Sequence, residues 1–158
     1  MTTPYEKIYA NILAKFRSYD IPVMTTDEVK DYLRDFLIPA TAKFQICRKD
    51  LNDRDDLLER FNCKLDDIEI EIISNYALLE YIDSTYIRTP TLLKANLSST
   101  DFNAFSSANL LDKLMAMRTD YLTDNETLLS RYAWLGAKDT GVLKRVGYKK
   151  PNIEQYLL

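Results

Sequence analysis

Histidine is missing from this chain, and glycine nearly so: there are three in 158 residues, Gly136, Gly141 and Gly147, all near the C-terminus. The first absence removes the commonest general base and the commonest metal ligand. The second removes, before residue 136, the residue that enters positive φ without steric cost. Phosphate-cradling loops, strained nucleophile turns and tight hairpins usually depend on it. Neither G-x-S-x-G nor G-x-x-x-x-G-K-[ST] occurs. Cysteine is scarce too. Cys47 and Cys63 form no CxxC and have no second pair to complete a metal site, and they read as reduced, partly buried thiols of a reducing compartment. No apolar run is long enough to span a bilayer, and MTTPYEKIY carries no signal-like apolar region. The expectation is a chain with no membrane segment, no cofactor, no metal and no catalytic residue.

What is present is the composition of an ordinary globular domain, 46% hydrophobic and 28% charged, with a net charge of −3. Residues 136–158 hold five Lys/Arg against two Asp/Glu, so a basic tail follows an acidic body. An acidic body excludes nucleic-acid binding through a broad basic face.

Helical spacing recurs from the start. Thr3 is a candidate cap, Pro4 suits a first helical position, and Tyr5, Ile8, Ile12, Leu13 and Phe16 form a stripe. Thr25 with Glu28 predicts a capping box for a second helix, with a stripe from Val29 through Tyr32, Leu33, Phe36 and Leu37 to Ala40 and Phe44. Pro39 predicts a kink or a split there. Residues 48–64 read as a charged connection with a candidate short helix around Asp55–Phe61. Asp66 with Glu69 predicts a third capped helix, apolar on nearly all sides from Ile68 to Tyr86, and hence central. Thr89–Pro90 starts a short helix through Leu97. Ser106 or Ser107 opens a long one through Leu110, Leu111, Leu114, Met117, Tyr121 and Leu122. Thr123 with Glu126 restarts a helix that Gly136 terminates. The expected fold is all-α: a compact body of about five helices over residues 1–135, with an extended arm over 136–158.

The acidic side chains do not form a site by their spacing. Asp50, Asn52, Asp53, Asp55, Asp56 and Glu59 fall short of a calcium loop, because Arg54 takes a ligand position and Asp55 replaces the turn glycine. A solvated acidic loop, or an electrostatic face toward a basic partner, explains them better. Asp67 and Glu71 share a helix face, but capping and surface solvation account for them and for Asp66 and Glu69. Eleven tyrosines are many for this length. Tyr5, Tyr9, Tyr32, Tyr76, Tyr81, Tyr86 and Tyr121 fit either core rim or subunit interface, and Tyr76, Tyr81 and Tyr86 are the interface candidates. The arm ends in apolar IEQYLL rather than a polar tail. It reads as a docking segment anchored by Val142, Leu143, Val146, Tyr148, Ile153, Tyr156, Leu157 and Leu158, with Lys144, Arg145, Lys149 and Lys150 meeting acidic surface.

Three blocks carry a resemblance: FLIPATAKFQICRKDL at 36–51, FNCKLDDIEIEIISNYALLEYI at 61–82, and DFNAFSSANLLDKLMAMR at 101–118 followed by LLSRYAW. In these the chain resembles the small helical head–tail connector, or portal-adaptor, proteins in the necks of tailed bacteriophages of Gram-positive bacteria. The resemblance implies a non-enzymatic virion component, assembled in the host cytoplasm. It implies a homo-oligomeric ring, commonly of twelve copies, on the portal protein ring. It also implies contacts with other neck or tail proteins and passage of genomic DNA without sequence-specific binding. The other expectations the residues leave open are a different neck or tail-side structural protein and a cytosolic helical binding or regulatory module.

Overall fold

A computed structural model describes residues 2–15, 21–88 and 107–139. These residues are mostly helical, with a small sheet. In chain order they form β1 (Thr3–Pro4), α1 (Tyr5–Lys15), a 3-10 turn (Ile21–Val23), α2 (Thr26–Lys43), β2 (Arg54–Asp55), β3 (Arg60–Phe61), α3 (Asp67–Ile82), a π-helical turn (Asp83–Arg88) and α4 (Ser107–Asp139). The predicted short helix after Thr89 and all the arm residues from Val142 to Leu158 lie outside the described residues.

The centre is α3. It packs on α1, α2 and α4, which is why it carries apolar residues on nearly all sides. Ile70, Ile72, Ile73, Ala77, Leu78, Leu79 and Ile82 are all buried. The stripes read from the sequence supply the opposing surfaces: Tyr5, Ile8, Tyr9 and Ile12 from α1, and Leu33, Phe36, Leu37 and Ala40 from α2. Each Leu, Ile or Phe side chain among them contributes roughly 1.5–3 kcal/mol on full burial.

Local chemistry sets the helix starts. Thr25 and Glu28 make the predicted capping box, with the Thr25 N–H donating to Glu28 Oε2 at 2.7 Å. At α1 the expected cap is replaced. The Tyr5 N–H donates to the Glu59 carbonyl at 2.8 Å, while Thr3 Oγ1 donates to the Cys63 carbonyl and accepts from the Leu65 N–H. Thr3 therefore pins the N-terminus to the sheet instead of capping the helix.

Four further expectations are corrected. Pro39 does not split α2, which runs unbroken to Lys43. The candidate helix around Asp55–Phe61 is a β-hairpin, and β1 completes a three-stranded antiparallel sheet in the order β1-β3-β2. Its turn works without glycine because Glu59 takes φ 47, and Asp55 Oδ1 accepts from the Leu57 and Leu58 N–H groups at 3.1 and 3.0 Å. Thr123 restarts nothing; its hydroxyl donates back to the Thr119 carbonyl at 2.9 Å inside one continuous helix of 33 residues. Gly136 does not stop that helix, which continues to Asp139. Its missing Cβ admits Arg48 instead: a Cβ there would lie 2.5 Å from Arg48 Nε.

A ladder of polar pairs fixes α4 antiparallel against α3. Arg118 grips Asp83 through two nitrogens. Asn75 Nδ2 donates to Asn125 Oδ1 at 3.1 Å, and Tyr132 Oη donates to Glu69 Oε1 at 2.7 Å. Arg118, Asn125 and Tyr132 recur every seven residues on α4, so they share one stripe. Buried polar groups at such positions specify register, because a slip leaves each unpaired.

Candidate functional site

Two features stand out: a buried polar hub and a set of apolar side chains left in water. The hub is Glu69, fully buried in the first turn of α3. Its Oε2 accepts from the Asp66 N–H at 2.8 Å, the glutamate half of the predicted capping box. The same oxygen lies 2.6 Å from Lys49 Nζ, and Oε1 takes the Tyr132 hydroxyl. The turn after α2 thus delivers Lys49, α4 delivers Tyr132, and the carboxylate locks both to α3. Tyr132 in turn receives the Arg48 N–H on its hydroxyl oxygen at 2.9 Å. The Arg48 guanidinium lies 4.3 Å from the centre of the Tyr132 ring.

The electrostatics of this hub are those of a latch. Burial pushes the Tyr132 phenol up, outweighing the Arg48 N–H that lowers it, with the neighbouring Glu69 adding to the rise. Burial likewise raises the Cys47 thiol. Both stay protonated at neutral pH, and a protonated thiol is a poor nucleophile. Burial works against the Lys49 ammonium, but its bonds to Glu69 and Asp66 prevail and its pKa rises. Cys47 and Cys63 are both half-buried free thiols.

The other carboxylates singled out in the sequence are engaged in structural pairs. Asp67 and Glu71 do share a face, and α1 meets it: Lys7 Nζ lies 3.0 Å from Asp67, while Asn11 and Lys15 both reach Glu71. Asp50 accepts from the Asn52 N–H, Asp53 from Asn62, and Asp56 from the Tyr5 hydroxyl at 2.8 Å. Glu59 pairs with Lys30. Among the described residues no group of three His, Cys, Asp or Glu side chains could hold a metal ion. Among them, too, no helix is long and apolar enough to cross a membrane.

Of the predicted interface tyrosines, Tyr76 and Tyr81 are buried within the single chain and Tyr86 is 40% exposed. Tyr81 packs edge-on against both Phe36 and Tyr86. A second copy could reach Tyr86 directly but only the rims of the other two. Most of the exposed apolar side chains lie elsewhere: Val23 (85%) before α2, Ile46 after it, Leu57 (92%) and Leu58 at the hairpin tip, and Leu111, Met115, Met117, Tyr121, Trp134 and Leu135 along α4. Trp134 lies two residues from the buried Tyr132, about 200° round the helix, so it faces away from the core that the described residues form. Sequence reasoning missed Leu57, Leu58 and Trp134 as surface features because Leu57 and Leu58 fell in an expected helix and Trp134 at an expected helix end.

Comparison of the chain with protein-family models, curated proteins and solved structures finds no match.

Proposed function

We propose that this chain is a non-enzymatic structural protein of a tailed-phage neck. In this reading it is a head–tail connector that forms a homo-oligomeric ring on the portal and extends the DNA channel. The observation that carries the reading is the division of labour between buried polar and exposed apolar groups. The acidic side chains that chemistry would need are occupied in capping, turn and helix-pairing contacts. The large apolar side chains of the hairpin tip and outer α4 remain in water, where they cost free energy unless a partner covers them. Burying such surface between copies is what ring assembly supplies. An acidic body suits a channel wall, since few basic contacts mean little counterion release and weak retention of passing DNA. The basic, apolar-ended residues 140–158, which follow α4, then serve as the segment that docks on the portal, with Val142, Val146, Tyr148 and Leu157 among its anchors.

The test is sedimentation of the full chain with portal rings from the same source through a density gradient. Co-migration with the portal, lost on deleting residues 140–158, is the expected result. Migration apart from the portal at every mixing ratio would remove the neck reading in favour of a helical module acting elsewhere.

A further inference from the structure

One side of α4 carries apolar and acidic groups that nothing among the described residues covers. Met117, Tyr121, Trp134 and Leu135 are exposed there. At about 100° per residue they fall with Asp120 and Asp124 in a sector of roughly 140°, beside the stripe that meets α3. Asp120 and Asp124 are exposed and have no ion-pair partner among the described residues. The sequence beyond the helix matches this side in charge and in reach. Asp139 is the last helical residue, so Gly141 stands where a left-handed glycine commonly ends a helix and turns the chain. Residues 140–158 hold four Lys/Arg and one Glu, with Val142, Leu143, Val146, Ile153 and Leu157 among them. Counted from Gly141 as extended chain, Leu143 is roughly 7 Å along, and Lys149 and Lys150 roughly 26 and 30 Å. Counted back along the helix from the same point, Leu135 and Trp134 lie roughly 9 and 11 Å away, and Asp124 and Asp120 roughly 26 and 32 Å.

We propose that the chain's own residues 140–158 fold back along this side of α4 as a strap. Leu143 covers Trp134 and Leu135, and Lys149 and Lys150 meet Asp124 and Asp120. The occupant is the chain itself because the segment starts at the end of the helix it covers. Such a tether holds it at an effective concentration on the order of millimolar, which a free partner rarely reaches. Exposed ion pairs are worth little each, so the Lys–Asp pairs set the register while Leu143 and Trp134 leave water together and supply the main contact. The contact is made within one chain and needs no portal. In the neck reading a portal must compete with α4 for these residues, so the strap restrains the arm until docking.

Trp134 is the sole tryptophan, so its fluorescence in the full chain reads the contact directly. Acrylamide, a neutral quencher, should quench it weakly in the parent chain. Val142→Asp with Leu143→Asp should raise quenching roughly twofold and shift emission to the red, as Trp134 returns to the 57% exposure it has beside the described residues alone. Lys149→Asp with Lys150→Asp should raise quenching too. Adding Asp120→Lys with Asp124→Lys to that variant should bring it back towards the parent, because the charges are then exchanged rather than lost. Parent quenching already equal to that of the Val142→Asp, Leu143→Asp chain overturns the proposal. So does protection of Trp134 that these substitutions leave intact, or protection that fades on dilution, since another molecule then supplies the cover. A charge exchange that restores nothing overturns the proposed alignment. Asp120 and Asp124 are exposed, and an unchanged circular dichroism spectrum verifies the fold of each variant. Protection of Trp134 without portal binding would keep the strap and remove the neck reading, and portal binding by a chain whose Trp134 is open would do the reverse.

Discussion

Replacing Lys49 by methionine should be among the costliest single changes that leave the apolar core untouched. The substitution keeps the aliphatic stem and deletes the ammonium 2.6 Å from Glu69. Glu69 has no solvent to fall back on, since its side chain is 1% exposed. Breaking a buried ion pair by removing one partner costs about 3–5 kcal/mol, because it strands a charge. Here the loss is smaller: the Lys49 side chain is 26% exposed, and Tyr132 and the Asp66 N–H still serve the carboxylate. A cost of about 2–3 kcal/mol follows. The second Lys49 partner, Asp66, is 61% exposed and adds little. Urea unfolding measures the loss as a lower midpoint at unchanged m-value. At this chain length it corresponds to a melting temperature lower by roughly 4–12 °C.

The comparison that decides the matter is Lys7→Met. It breaks a pair of similar length with Asp67, but with side chains 54% and 96% exposed, so about 0.5 kcal/mol or less is expected. Adding Glu69→Gln to Lys49→Met should recover part of the loss, because the stranded charge goes with it. The lysine's raised pKa means that its contribution is complete at neutral pH and fades only as pH rises past the ordinary lysine range. A Lys49→Met variant no weaker than Lys7→Met would refute the latch.

Other perturbations follow from single contacts. Burial raises the Glu71 carboxyl, but Lys15 and Asn11 outweigh it and hold the pKa below the usual value. Its contribution is therefore present above the ordinary glutamate range and lost as pH falls through the lowered pKa. Wild type should lose more stability than Glu71→Gln between pH 5 and pH 3 in thermal melts, each value being about the range where glutamates titrate. Gly136→Ala should stabilise an Arg48→Ala background by about 1 kcal/mol through helix propensity, and wild type by less, since the new Cβ displaces Arg48 from its place beside Tyr132. Equal gains in both backgrounds would contradict that packing. Arg118→Met should leave buried Asp83 uncompensated and cost about 2 kcal/mol or more, read as a lower urea midpoint, whereas Arg131→Met should cost the isolated chain nothing measurable.

Helices whose information is local were legible in the sequence. The Thr25–Glu28 box and the stripes of α1 and α2 are read within one or two turns, and the all-round apolarity of α3 already implied a helix covered on several sides. The hairpin was not legible, because strands of two residues carry no alternation and the turn uses Glu59 where a glycine would have announced it. The continuity of α4 was obscured by residues with two uses. Thr123 resembles a cap but bonds back inside a helix, and Gly136 resembles a stop but serves the approach of Arg48. Glu69 was read as half of a capping box, correctly, yet its role as hub depends on Lys49 and Tyr132, which meet it only once α2 and α4 have packed on α3. The exposed Leu57 and Trp134 were invisible for the same reason, since exposure follows from which face each element gives to its neighbours.

Whether this chain assembles on a portal, as proposed, is read by native mass spectrometry of the purified protein mixed with portal rings. The expected result is a complex in which this chain and portal subunits stand in a one-to-one ratio. A chain that stays monomeric, or forms a small oligomer of its own, while the portal rings remain bare would contradict it.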